Sequence, residues 1–119
     1  FTAISGASDV FRGGIVSYAS DVKFSLLGVP EGPVVSAQAA QAMAEGARRA
    51  LKADVALATT GVAGPAEQEG QAVGTVFLGL AMNDMSASQQ VQLPGDRQRI
   101  RQYAVISAVN MLRKRLIGS

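Results

Sequence analysis

Two periods of apolar spacing alternate along this chain, and each change of period marks an element. Residues 6–11 (GASDVF) read as a turn or a single helical turn. Gly13-Gly14 then open the run IVSYA, residues 15–19, whose β-formers predict a strand. Ser20-Asp21 are placed to cap a short helix over Val22 to Leu27, which Gly28 would stop. Pro30, Gly32 and Pro33 mark a loop. Beyond it, Ala40, Met43, Ala47, Ala50 and Leu51 recur at spacings of three and four, predicting a helix over roughly 37–52 with Ser36 as its N-cap. The period then falls to that of strands. DVALATT, residues 54–60, is a continuous apolar run that fits a strand buried on both faces. The polar stretch AEQEGQ is expected to form a mobile loop. Gly74 to Ala81 and Ser86 to Leu93 read as an antiparallel hairpin turning at Asn83-Asp84. After Pro94-Gly95, Asp96 caps a long helix to about Leu116, ended by Gly118, with Ile100, Tyr103, Ala104, Ala108, Met111 and Leu112 as its buried stripe. The order β-α-α-β-β-β-α predicts one α/β domain over residues 1–119. Its simplest packing is a mixed sheet of four or more strands with helices on its faces.

Composition narrows the chemistry. The chain is 48% hydrophobic but only 5% aromatic, so its core is built of Ala, Val, Ile and Leu. With neither Cys nor His, it has no thiolate and no imidazole, hence no disulfide, no metal site of the usual kind and no histidine base. Any catalysis must use Lys, Tyr, Ser, Thr or carboxylates. A net charge of +2 is too mild to argue for nucleic acid. No apolar run is long enough for a membrane span, and residues 1–10 lack the pattern of a signal peptide, so the expected location is cytoplasmic. The first residue is not Met, and natural N-terminal residues are expected to be missing from the chain.

Three segments carry candidate chemistry. Lys23, with Tyr18 and with Ser17, Ser20 and Ser25 close in sequence, suits the Ser–Lys pairing that replaces histidine in some hydrolases. From spacing alone it reads as a solvated surface lysine. The turn TTGVAGP, residues 59–65, places Thr59, Thr60 and Gly61 at a strand's C-terminal end, where open α/β sheets bind ligands. Its plain alternative is a strand-ending turn. PGDRQRIR, residues 94–101, offers a helix N-terminus with Arg97, Arg99 and Arg101 for a phosphate, or simply a capped surface helix. Arg113, Lys114 and Arg115 complement the dipole at the end of that helix.

Read together, GASDVFRGGIVSYASDVKFSLLGV, VVSAQAAQAMAEGARRAL, TTGVAGP, VGTVFLGLA and LPGDRQRIR span nearly the whole chain. In this order and spacing the chain resembles the CinA C-terminal domain family, whose members include nicotinamide-nucleotide amidohydrolases. The resemblance implies hydrolysis of nicotinamide mononucleotide to nicotinate mononucleotide and ammonia, without a cofactor. It implies a Ser nucleophile assisted by a Lys, here Lys23, with Tyr18 matching the tyrosine of the family's Y-S-N-x-x-K stretch. Ala19-Ser20 depart from the usual Ser-Asn. Thr60 and Gly61 match the T-G of T-G-x-A-G-P, and Gly13, Gly14, Arg97 and Arg101 are carried over as substrate-binding residues. The family's E-S-C-T-G-G motif, which supplies the nucleophile, is absent from these residues and is expected upstream of Phe1 with a helix and an inner strand. Residues 1–119 alone are therefore expected to be inactive. The implied partner is a small nucleotide, with no nucleic acid and no membrane, and self-association into a homodimer or higher homo-oligomer is expected. The competing expectation is a non-catalytic nucleotide-binding or regulatory module.

Overall fold

A computed structural model describes residues 1, 3 and 5–117. After a 3-10 turn at Ala7–Asp9, the elements are α1 (Ser20–Leu27), α2 (Ala37–Leu51), β1 (Ala56–Gly61), β2 (Thr75–Ala81), β3 (Ser86–Gln92) and α3 (Arg97–Leu116). The predicted Gly118 stop of α3 lies outside the described residues.

The helix ends follow local chemistry. Ser36 Oγ accepts from Ala39 N at 3.1 Å and Asp96 Oδ1 from Arg99 N at 3.0 Å, so both long helices carry the side-chain caps their sequences predict. α1 differs: Ser20 is its first residue, and the N-cap Ala19 contributes no side-chain bond. Gly28, at φ 70°, ends α1 in the left-handed conformation.

Among the described residues the sheet has three strands in the order β1-β2-β3, all antiparallel, rather than the expected mixed sheet of four or more. The strand expected at IVSYA does not form. Residues 11–18 have no regular secondary structure, and no described strand lies alongside to complete a ladder. Alternation survives there without the sheet: Ile15 packs against Leu27, Val29, Ala39 and Met43, while Val16 and Tyr18 are exposed.

The strand buried throughout is β2, not the apolar run before it. Among the described residues β1 pairs on one side only and is half-exposed along most of its length, whereas β2 has a neighbour on each edge and helices on both faces. Its alternate residues serve two cores. Val76 and Leu78 meet Ile100, Ala104 and Ala108 of α3, while Phe77 meets Val34, Val35 and Ala40 on the side of α2. α1 packs on the far side of α2. The layers are therefore α1, α2, sheet and α3.

Packing on two neighbours widens the buried face of α2. Ala39, Ala40, Met43, Ala44 and Gly46 are buried, whereas Ala50 of the predicted stripe is exposed. Two glycines set these approaches: a Cβ at Gly79 would stand 2.0 Å from the Ala40 carbonyl oxygen, and one at Gly46 would stand 2.0 Å from that of Leu27. In α3, Ile100, Ala104 and Ala108 are buried as predicted, Met111 and Leu112 are half-buried, and Tyr103 lies at the rim, 36% exposed.

Candidate functional site

The C-terminal end of β1 gathers the polar groups. Thr60 is its penultimate residue, 8% exposed, and its hydroxyl donates to the Val34 carbonyl at 2.5 Å. Gly61 follows at the strand's last position. A Cβ there would lie 2.7 Å from the Thr75 carbonyl oxygen, so the chain passes β2 only as glycine. The turn continues to a cis Gly64–Pro65 peptide. Arg97, first residue of α3, donates from Nη1 to the Gly64 carbonyl at 2.8 Å. Two of the three candidate segments thus meet. Arg101 is exposed on the next turn of α3.

Lys23 enters from α1, and it is not a solvated lysine. It is 8% exposed, and its ammonium donates to the Ser17 carbonyl at 2.6 Å. Burial pushes its proton affinity below the ordinary lysine value of 10.5, and the negative charge of Glu69 pulls partly back. The lowering by burial is what a Lys working as a base requires, and the Glu69 charge works against it. Tyr18, one residue beyond Ser17, is 83% exposed and presents its ring to solvent. Ser20 and Ser25 are exposed on α1, where Ser25 Oγ donates to the Asp21 carbonyl.

Gly13 and Gly14 are not brought to this end. Arg12 Nε donates to the Leu51 carbonyl at 3.0 Å, and a Cβ on Gly13 would touch the Leu51 side chain. Both glycines therefore lie at the C-terminal end of α2, about 20 Å of helix away from Ser36. A concavity of about 540 Å3 lined by Glu45, Arg48, Asn83 and Ser86 also belongs to that far end of the sheet, beside the β2–β3 turn.

The residue that sequence reasoning missed is Glu69. Its segment is tied down rather than loose. Gln68 and Gln71 pair through both backbone bonds, at 3.2 and 2.8 Å, around Glu69 and Gly70, whose φ values are 53° and 75°. This is the two-residue turn with both central residues left-handed, a geometry that favours Asn, Asp or Gly. A glutamate there costs roughly 1–2 kcal/mol. Its carboxylate answers with two bonds, Oε2 accepting from Val34 N at 3.0 Å and Oε1 from Val35 N at 2.8 Å. Hydrogen bonds to a charged group contribute about 1.5–3 kcal/mol each, so the pair outweighs the backbone cost. Among the described residues no buried side-chain nitrogen or oxygen lacks a partner, and no cluster of three metal-ligating side chains occurs.

Residues 1–116 match the profile of the CinA C-terminal domain. A CinA-like protein of Frankia casuarinae is 54% identical over 98% of this chain and 28% of its own length. A putative competence-damage inducible protein of Lactiplantibacillus plantarum is 42% identical over 96% of this chain and 29% of its own. The chain thus spans less than a third of the curated relatives it matches. Among solved structures, a CinA superfamily protein of Enterobacter cloacae superposes with a TM-score of 0.92 at 30% identity, covering 97% of this chain and 72% of that one. The competence/damage inducible protein CihA of Agrobacterium tumefaciens gives 0.87 at 34% identity, covering 93% and 72%.

Proposed function

The chain belongs to the CinA C-terminal domain family, and from that premise we propose that it forms most of an amidohydrolase site for nicotinamide mononucleotide. In this reading the site releases ammonia and nicotinate mononucleotide. The observation that carries the reading is a buried lysine of lowered proton affinity in a chain without histidine, in the same polar neighbourhood as the Thr60 hydroxyl.

Lys23 acts as general base toward a serine hydroxyl and then as acid to the leaving ammonia. The serine is not among residues 1–119 in the E-S-C-T-G-G motif; in this reading it is supplied by residues outside this sequence. Backbone N–H groups of the turn beyond Val62, whose own N–H is taken by the Thr75 carbonyl at 2.9 Å, receive the carboxamide oxygen as it gains charge; loss of one such donor typically costs about 10²–10³ in rate. Arg97, held against that turn, anchors the phosphate and so holds the substrate in the site.

The test is ammonia release from nicotinamide mononucleotide by the full-length protein that carries these residues. Turnover is expected, and Lys23→Ala should lower kcat far more than it raises KM. No ammonia from the unsubstituted protein would end the proposal, and a pure KM effect of Lys23→Ala would make Lys23 a binding residue.

A further inference from the structure

The Val34–Val35 segment is a junction. Both of its N–H groups are taken by the Glu69 carboxylate, and the Val34 carbonyl receives the Thr60 hydroxyl. Val34 and Val35 are themselves buried, in the cluster that holds Val62 and Phe77, with Phe24 of α1 packed against it. One carboxylate therefore connects three parts of the chain: the loop before α2, the end of β1 and the turn at 68–71.

Glu69 also acts on Lys23 through its charge. Asp21 lies on α1 itself, and Arg49 reaches the Leu27 carbonyl from α2. The negative charge of Glu69 raises the proton affinity of the Lys23 ammonium, against the larger lowering by burial. Its left-handed backbone aims the side chain at the junction, and a non-glycine residue held in that conformation is a recurrent mark of sites where geometry serves function.

We propose that Glu69 is the positioning residue of this site: it fixes the Val34–Val35 peptide, through that peptide the Thr60 hydroxyl, and it supplies the charge against which Lys23 holds its proton. The inference concerns the candidate site above and rests on the amidohydrolase reading only where activity is measured. Two variants separate its parts. Glu69→Gln removes the charge and presents an amide NH2 to one of two N–H donors. Glu69→Asp keeps the charge and withdraws it by one methylene.

The experiment is heteronuclear NMR on the full-length protein, following the Lys23 side-chain resonances against pH and the exchange of the Val34 and Val35 amides. Glu69→Gln should move the Lys23 midpoint to lower pH and speed exchange at both amides by on the order of tenfold. Glu69→Asp should speed the same exchange while leaving the Lys23 midpoint near the unsubstituted value. The ascending limb of kcat/KM for ammonia release should move to lower pH in Glu69→Gln, in step with the Lys23 midpoint. An unmoved midpoint with unmoved amide exchange overturns the inference. If Glu69→Gln does not fold, Glu69→Asp decides it through the exchange rates alone. A shifted midpoint in a protein that releases no ammonia would keep the role of Glu69 and remove the amidohydrolase reading.

Discussion

Replacing Gly46 by Ala sets two effects of opposite sign against each other. Gly46 lies inside α2, where Ala is the better helix former by about 1 kcal/mol. Propensity alone therefore predicts stabilisation. The new Cβ, however, would stand 2.0 Å from the Leu27 carbonyl oxygen and 2.7 Å from its carbon, where ordinary contact begins near 3.4 Å. Both obstructing atoms are backbone, so no side-chain rotation relieves them. α1 must retreat by more than an ångström or tilt. Overpacking of this kind costs roughly 1–3 kcal/mol, and a backbone-on-backbone clash belongs at the upper end. The net expectation is a loss of about 1–2 kcal/mol and a fall in Tm of about 4–10 °C for a domain of this size. Because α1 carries Lys23, the same retreat should reach the site; misplacing a catalytic group by about 1 Å can cost around 10²-fold in rate. Thermal unfolding of Gly46→Ala beside Ala50→Gly checks the reasoning. Ala50 is exposed on the same helix, so its replacement reports propensity alone. If Gly46→Ala raises Tm by about what Ala50→Gly lowers it, the close approach of α1 to α2 is not what Gly46 serves.

Lys23 should also leave a signature in stability. Its proton affinity is lower in the folded chain than the ordinary 10.5, so between those two values the unfolded chain binds more protons and stability rises with pH. Lys23→Met should flatten that rise in denaturant titrations run from neutrality to 10.5; an unchanged slope would mean that Lys23 is not the group responsible. Thr60→Val keeps the shape but orphans the buried Val34 carbonyl, and should cost about 1–2 kcal/mol in chemical denaturation, most of it restored by Thr60→Ser. Equal stability of Val and Ser at this position would refute the bond's importance. Arg97→Ala, at an exposed helix start, should change stability by no more than about 0.5 kcal/mol. In steady-state kinetics it should raise KM for a phosphate-bearing substrate with little change in kcat; the opposite split would place Arg97 at the reacting amide.

What the sequence discloses and what it hides differ in range. The caps of α2 and α3, the Gly28 stop and the β2–β3 hairpin are local, and each is written within a few residues, as Ser36 and Asp96 show. The IVSYA strand does not form for the complementary reason, since β-formers make a strand only where a second strand lies beside them, none does among the described residues, and alternation says nothing about the neighbour. Burial is misjudged between β1 and β2 because it depends on place in the sheet rather than on hydrophobicity, and among the described residues GTVFLGLA has a strand on each side where DVALATT has one.

The site is harder still. Lys23 reads from spacing as a surface residue because nothing near it in sequence tells that α1 closes onto α2 through the missing side chain of Gly46. Glu69 is silent because its partners are Val34 and Val35, far back in the chain, and a carboxylate in a polar loop is ordinarily solvated. One local trace exists: Glu-Gly stands between Gln68 and Gln71 where a tight two-residue turn would favour Asn-Gly or Asp-Gly. The backbone geometry alone is served better by the shorter side chain. The glutamate spans from that turn to both amides of the junction, and its choice at an unfavourable φ is explained by what its carboxylate reaches.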